Sequence, residues 1–475
     1  MNPYLVKELR QLTRSKTVSG GLVLLLFGQL AVAALVAPAV LRNGDPDAVD
    51  ALGAILLGVF GGILGLALCV VLPVAVFGRF VAENPKGRAS VELATAAPPA
   101  AAVDGKLRAG FVLAAALVAG SLPFQLLCVA LRGVDFVAVL FHCASMLLAC
   151  SVQLHFAVLF AAPREQSAGA RWTVMVLFQV FFGLYMIVAT VGAAVASAGG
   201  SGLVGDPPSA GVALGILAAA ASLNLLLRAS AVRALSPPST DRDRAPRLTL
   251  LALWAAWGTA AAVAAFVDGD GEPLATWAGF FAAATAVSFF TAAGSPKGVS
   301  RRVLAERPAS RVRRWLRLPF SAGFAGGFVF AAALLSATLP LAFGLALAAD
   351  PAGPSPADDA AWLRWIATML YVLSVPTVLR GIFTRKAPDR HRPFGVTWFS
   401  YLALFLLQLV PVLLFAGFAG PPLGFPFFLH GVFACDAETV PLHLVFGGLA
   451  FLGGIVAVSS ELRSSLRAYL APPKP

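Results

Sequence analysis

Long apolar stretches alternate with short polar segments along the whole chain. Each apolar stretch has roughly 20 residues, which is the length that an α-helix needs to cross the hydrocarbon core of a bilayer. The pattern predicts an all-α integral membrane protein with about twelve transmembrane helices. Their approximate limits are Val18 to Val40, Ala51 to Phe77, Gly110 to Leu131, Phe136 to Ala161, Trp172 to Ala196, Gly211 to Leu227, Leu248 to Val267, Leu274 to Ala293, Phe320 to Ala348, Ala361 to Leu379, Val396 to Phe418 and Val440 to Val458.

Positive charge divides the polar segments into two classes. All but three of the 35 Lys and Arg residues lie in every second segment, beginning with the N-terminal one; the exceptions are Arg42, Arg132 and Arg364. Because Lys and Arg are enriched on the cytoplasmic side of membrane proteins, we expect both termini to be cytoplasmic. The net charge of +12 then reflects topology and an anionic inner leaflet rather than nucleic-acid binding. With 12% charged residues, the chain does not have the composition of a soluble domain.

The predicted spans form two sets of six with the same orientation. In both sets a basic loop separates the second and third spans, so a 6+6 pseudo-repeat is expected. The predicted segments are an amphipathic interfacial connecting helix at 1–17, a first six-helix half at 18–228 with a cytoplasmic loop at 79–108, a basic linker at 229–247, a second six-helix half at 248–460 with a basic loop at 294–318, and a cytoplasmic tail at 461–475.

The spans and loops lack the features of a self-powered carrier. No Asp, Glu, Lys or Arg lies in the middle of a predicted span. A charge there costs at least about 2.5 kcal/mol and commonly marks an ion or proton pathway. The phosphate-binding sequence Gly-x-x-x-x-Gly-Lys-Ser/Thr is also missing, so the energy for uphill transport would enter through another chain. The five cysteines show no metal-ligand or disulfide spacing, and we predict no catalytic, cofactor or metal site.

The segment before the first span is compatible with a short surface helix. It reads Asn2-Pro3-Tyr4-Leu5-Val6-Lys7-Glu8-Leu9-Arg10 and continues to Lys16. Asn2 can cap a helix and Pro3 suits its first turn. Leu5, Leu9 and Leu12 share one face of that helix, opposite most of the basic residues. Such a helix would lie in the inner membrane interface; a simple basic tail that sets the topology explains the same residues equally well.

The loop between the second and third spans has a more specific pattern. Asn84-Pro85 and Gly87 indicate a turn, Ser90 to Ala97 a short helix, and Pro98-Pro99 its end. A short helix held at the membrane surface by a span on either side is a rigid element on which a partner protein could push. An ordinary structured loop is the alternative.

Together the two segments resemble the permease subunits of ABC-2 type transporters. The resemblance rests on the opening Asn-Pro-x-Leu-x-Lys-Glu-Leu-Arg, on Glu-x-x-x-Gly-x-x-x-x-Glu-Leu-x-x-x-x-Pro after the second span, and on Gly-Lys at the start of the third. It implies a connecting helix that contains Lys7, Glu8, Leu9 and Arg10, and an ATPase-coupling segment that contains Glu83, Gly87, Ser90, Glu92, Leu93, Pro98, Gly105 and Lys106. The similarity covers about the first 110 residues, and the usual six spans of the family are fewer than the twelve predicted for this chain.

The resemblance implies a function in export. Family members pair with a separate cytoplasmic ATPase that binds ATP and Mg²⁺, so the permease itself would bind no cofactor and would not be an enzyme. Two other classes remain open. Twelve spans also fit a secondary transporter of the major-facilitator type, and the acidic outer loops, such as Asp268, Asp270 and Glu272, would suit a membrane-embedded enzyme. The Ala-rich composition favours a bacterial source, and hence the plasma membrane.

Overall fold

A computed structural model describes residues 3–43, 46–83, 98–131, 134–162, 167–180, 182, 210–237, 240–269, 271–295, 300–349, 363, 366, 370, 373–382 and 440–471. All regular secondary structure in these ranges is helical. The chain divides into two compact units, Met1–Ser236 and Pro237–Pro475.

The first unit is a bundle of long helices preceded by a short one. Its helices are α1 (Pro3–Thr13), α2 (Lys16–Asn43), α3 (Pro46–Leu66), α4 (Leu72–Glu83), α5 (Pro99–Ala130), α6 (Phe136–Ala161), α7 (168–180) and α8 (Ala210–Leu235). α6 lies at the centre and packs against α4, α5 and α8. Phe60, Phe77 and Leu154 are among the buried side chains of its core.

A short π-helical turn, Ala67–Val71, joins α3 to α4 within a single span. Pro73, the second residue of α4, has no backbone N–H, so a regular ladder of α-helical hydrogen bonds would lose one bond there. In the π-turn the N–H of Leu72 instead donates to the carbonyl of Ala67. The hydrogen bonding beside the proline is therefore π-helical over one turn, and the span continues as an α-helix beyond it.

The second unit contains α9 (Arg244–Asp268), α10 (Glu272–Ala293), α11 (Arg301–Ala305), α12 (Arg311–Arg317), α13 (Phe324–Ala349), α14 (Leu373–Ile382) and α15 (Val440–Leu470). α10 packs along α13, with Phe289, Phe290 and Leu335 buried between the helices of this core. Two small residues, Gly327 of α13 and Ala292 of α10, lie at a close approach of these helices. Small residues let helix backbones approach closely where the hydrophobic effect does not drive association.

Nine helices within the described ranges are long and apolar enough to cross a membrane. They confirm a multi-pass, all-α membrane protein. Of the other three predicted spans, 396–418 lies wholly outside the described residues, and 172–196 and 361–379 lie partly outside them. The twelve-helix count and the cytoplasmic placement of the termini therefore stay predictions.

Several helices extend beyond the apolar stretches that predicted them. α5 begins at Pro99 rather than near Gly110, and its additional turns carry charged side chains that have partners in neighbouring helices. α15 continues to Leu470, into the segment expected to be a tail. α8 and α9 likewise extend into the expected linker 229–247. Apolar composition marks the membrane-spanning part of a helix but not the polar turns that continue it.

A larger side chain at Gly327 should disturb the α10–α13 packing. A methyl group at this position would collide with the Cβ of Ala292, whereas one at Gly344 of the same helix would meet no atom within 4 Å. We expect Gly327→Val to lower the free energy of unfolding by about 1–3 kcal/mol, the usual cost of overpacking. Thermal unfolding of the purified protein in detergent measures the effect. Gly344→Val is the matched control, and equal unfolding temperatures for the two variants would contradict the described packing.

Candidate functional site

Lys106 of α5 forms ion pairs with two glutamates from other helices. Its Nζ lies 2.6 Å from Oε1 of Glu8 in α1 and 2.6 Å from Oε2 of Glu83 at the end of α4. Glu8 and Lys106 are each 3% exposed, and Glu83 is partly buried. We call Glu8, Glu83 and Lys106 the charged triad. It joins the N-terminal helix to the end of one span and the start of the next.

Local sequence explains how each member of the triad reaches the others. Pro98 is extended and precedes a proline in the first turn of α5, so the chain enters this helix at a fixed point, two turns before Lys106. Glu83 is the last residue of α4. In α1, Glu8 lies on the same side as Leu5 and Leu12, one turn from each, and this side packs against α5. The apolar face predicted for α1 thus contacts protein in the structure.

An aromatic ring and a second lysine also lie close to the charged triad. The Phe80 ring centroid lies 4.6 Å from Nζ, and the electron-rich face of an aromatic ring attracts a cation. Two carboxylates beside one ammonium leave a local excess of negative charge. Lys7 reduces this excess, since its Nζ lies 3.8 Å from Oε1 of Glu83. A buried ion pair adds little net stability when intact, but loss of one partner leaves an uncompensated buried charge.

A second ion pair connects the first turns of α5 to α8. Arg228 donates to both carboxylate oxygens of Asp104, at 2.6 and 2.8 Å. Such a two-bond contact fixes orientation as well as distance. Asp104 is two residues from Lys106, so the same end of α5 contacts α1, α4 and α8. Movement of this end of α5 would therefore displace all three helices.

Polar side chains inside the bundle connect further helices. Gln29 of α2 donates to the Ser121 hydroxyl of α5 at 2.7 Å and to the Phe60 carbonyl of α3 at 3.3 Å. Asn224 of α8 donates to the Ser151 hydroxyl of α6 at 2.8 Å. Hydrogen bonds between membrane helices of this kind contribute roughly 1 kcal/mol or less each. These residues fit a role in helix association.

The structure brings together some of the residues that the sequence singled out. Glu8, Glu83 and Lys106 form the charged triad, and Lys7 lies beside Glu83. Pro98 precedes α5, and Gly105 is buried beside Lys106. Leu9 is half-buried, whereas Arg10 is exposed and outside the triad. The remaining coupling residues, Gly87, Ser90, Glu92 and Leu93, lie in the segment 84–97, outside the described residues.

Sequence reasoning missed two buried arginines in the second unit. Arg380 at the end of α14 pairs with Glu461 of α15 and donates to the carbonyl oxygens of Ala293, the last residue of α10, and of Ser295, two residues further on. Arg247 of α9 donates to the carbonyls of Pro319 and Ser321, at 2.9 and 2.5 Å, and lies 3.4 Å from Asp243. The available signal was an arginine directly beyond an apolar stretch, a position where burial forces it to find partners.

Comparisons of the chain with models of protein families, with curated proteins and with solved structures find no match. The resemblance to ABC-2 permeases therefore depends on the residues named above.

Removal of the Lys106 charge should destabilise the first unit strongly. Lys106→Met would leave the Glu8 and Glu83 carboxylates together without their shared cation, and such a loss costs about 3–5 kcal/mol. Thermal unfolding in detergent measures the change. Lys16→Met is the matched control, because Lys16 is exposed at the start of α2, and there we expect a change within about 0.5 kcal/mol. Similar unfolding temperatures for both variants would show that the triad is not formed.

Proposed function

We propose that the chain is the permease subunit of an ABC-2 type ATP-binding cassette transporter. It would form the export path in a bacterial plasma membrane, and a separate cytoplasmic ATPase would supply the energy. The observation that carries this proposal is the charged triad. Its three members come from the three segments on which the resemblance rests: the opening helix, the end of the second span and the start of the third.

The triad supplies a physical route for the coupling. α4 ends at Glu83 and α5 begins at Pro99, so the segment 84–97 is held at both ends by helices that the triad joins. An ATPase that pushes on this segment would act on α4 and α5 together. α1 would move with them, because Glu8 and Lys106 are buried and in direct contact. Asp104 and Arg228 would pass the displacement to α8.

The coupling residues have distinct roles under this proposal. Ser90, Glu92 and Leu93 would form the surface that contacts the ATPase, and Gly87 and Pro98 would bound that surface. Glu83, Gly105 and Lys106 would connect it to the bundle, and α1, with Lys7, Glu8, Leu9 and Arg10, would be the connecting helix. ATP and Mg²⁺ would bind to the partner, where hydrolysis would drive its closure beneath the membrane.

Capture of the partner tests the proposal. The tagged full-length chain is purified in mild detergent from its natural membranes, and the bound proteins are identified and assayed for ATP hydrolysis. We expect a stoichiometric ATPase with the unaltered chain. Glu92→Arg reverses a charge on the contact surface, and we expect it to reduce the bound ATPase by about tenfold, as is common for charges at an interface.

Asp135→Arg is the matched control, because it makes the same change of charge at the start of α6, away from the segment 84–97. It should leave the amount of bound ATPase unchanged. If no ATPase is recovered under conditions that preserve a known permease complex, the proposed function is wrong. If an ATPase is recovered equally with Glu92→Arg, the coupling role of this segment is wrong.

A further inference from the structure

An open groove lies on the second unit, between the start of α9 and the helix α12. Its volume is about 360 Å³. Three arginines line it, Arg244, Arg313 and Arg317, together with the apolar side chains of Leu248, Leu316 and Phe320. Since α12 lies in the connection between α10 and α13, the groove is at the ends of membrane-spanning helices, where lipid head groups are found.

The loop that carries α12 is held in place by the end of α15. Arg307 donates to the carbonyl oxygens of Ala468 and Tyr469, and Arg314 to that of Ala471 at 3.2 Å. The last carbonyls of a helix have no partner within it, and an arginine is a favourable donor to them. These contacts fix the position of α12 and leave its other side chains to face outward.

The groove retains positive charge that no described residue neutralises. Arg317 forms an ion pair with the Asp241 carboxylate, 3.6 Å away, and donates a hydrogen bond to the Glu306 carbonyl at 3.2 Å. In the described part of the chain, no carboxylate forms an ion pair with Arg244 or Arg313. Even with Asp241 ionised, two guanidinium groups therefore remain for a ligand.

Next to these charges α12 exposes apolar side chains. Val312, Trp315 and Leu316 are 68%, 47% and 69% exposed, and their spacing places them on one face of the helix. An exposed apolar face on a basic helix is typical of a segment that lies in the membrane interface, and Trp is enriched at that depth. The arginines and the apolar face together match a ligand that is anionic at one end and hydrocarbon at the other.

We propose that this groove binds an anionic phospholipid of the adjacent leaflet. Arg244 and Arg313 contact its phosphate, Leu316 and Phe320 contact the glycerol and first acyl carbons, and Trp315 anchors α12 among neighbouring lipids. The charge complementarity, the exposed apolar face and the position at the helix ends favour lipid over a soluble protein partner. This inference requires only a membrane-spanning chain and does not rest on the proposed function.

Native mass spectrometry of the full-length protein tests the proposal. The protein is delipidated in neutral detergent and titrated with dioctanoyl phosphatidylglycerol or, as the neutral comparison, dioctanoyl phosphatidylcholine. We expect preferential binding of the phosphatidylglycerol and an affinity lowered about tenfold or more by Arg244→Gln with Arg313→Gln, since each basic residue near an anionic lipid surface contributes appreciably. Arg463→Gln, an exposed arginine of α15 bonded only within its own helix, is the matched control and should bind normally.

Each other outcome overturns the proposal in a distinct way. If Arg463→Gln weakened phosphatidylglycerol binding as much as the double variant does, the lipid would be bound through the overall charge of the protein. Displacement of the phosphatidylglycerol by millimolar inorganic phosphate would indicate a site for the free anion. Equal affinity for phosphatidylglycerol and phosphatidylcholine would show that the arginines do not select an anionic lipid. If the double variant retains lipid binding but loses a bound ATPase, the groove is a protein-docking surface.

Discussion

Hydrocarbon cannot solvate a charge, and the arrangement of the helices in the first unit depends on how this constraint is met. Apolar helices gain little from contact with one another in a bilayer, since lipid is as apolar as their side chains. The charged side chains at the helix ends determine which helices are neighbours, because each charge must reach a partner of opposite charge or water. Lys106 is buried and contacts Glu8 and Glu83. This requirement places the ends of α1, α4 and α5 side by side.

The second unit meets the same constraint with arginine. Arg380 joins α14, α15 and the end of α10, and Arg247 joins α9 to the segment before α13. Guanidinium suits this task because its several donors can satisfy a carboxylate and backbone carbonyls together. In the first unit Lys106, which contacts two carboxylates, likewise joins the ends of several helices. Both solutions concentrate buried polar contacts at the ends of helices.

The sequence was sufficient for the class of fold and for most helices, because apolar length is a strong signal. It also located Glu8, Glu83 and Lys106 as separate motif positions. It could not show that they touch: Glu8 and Lys106 are 98 positions apart, and no periodicity records a contact over that distance. Arg380 and Glu461 were missed because they lie just beyond the apolar stretches by which the spans were recognised. The residues of 84–97, which the proposed coupling needs, lie outside the described structure.

The most direct test of this account is the energetic coupling between Glu8 and Lys106, measured as a double-mutant cycle of unfolding free energies in detergent. Glu8→Gln and Lys106→Met are made separately and together. If the two side chains share one buried ion pair, the double variant should be more stable than the sum of the single effects predicts, by about 1 kcal/mol or more. Additive effects, within about 0.5 kcal/mol, would show that the two residues do not interact and would contradict the charged triad.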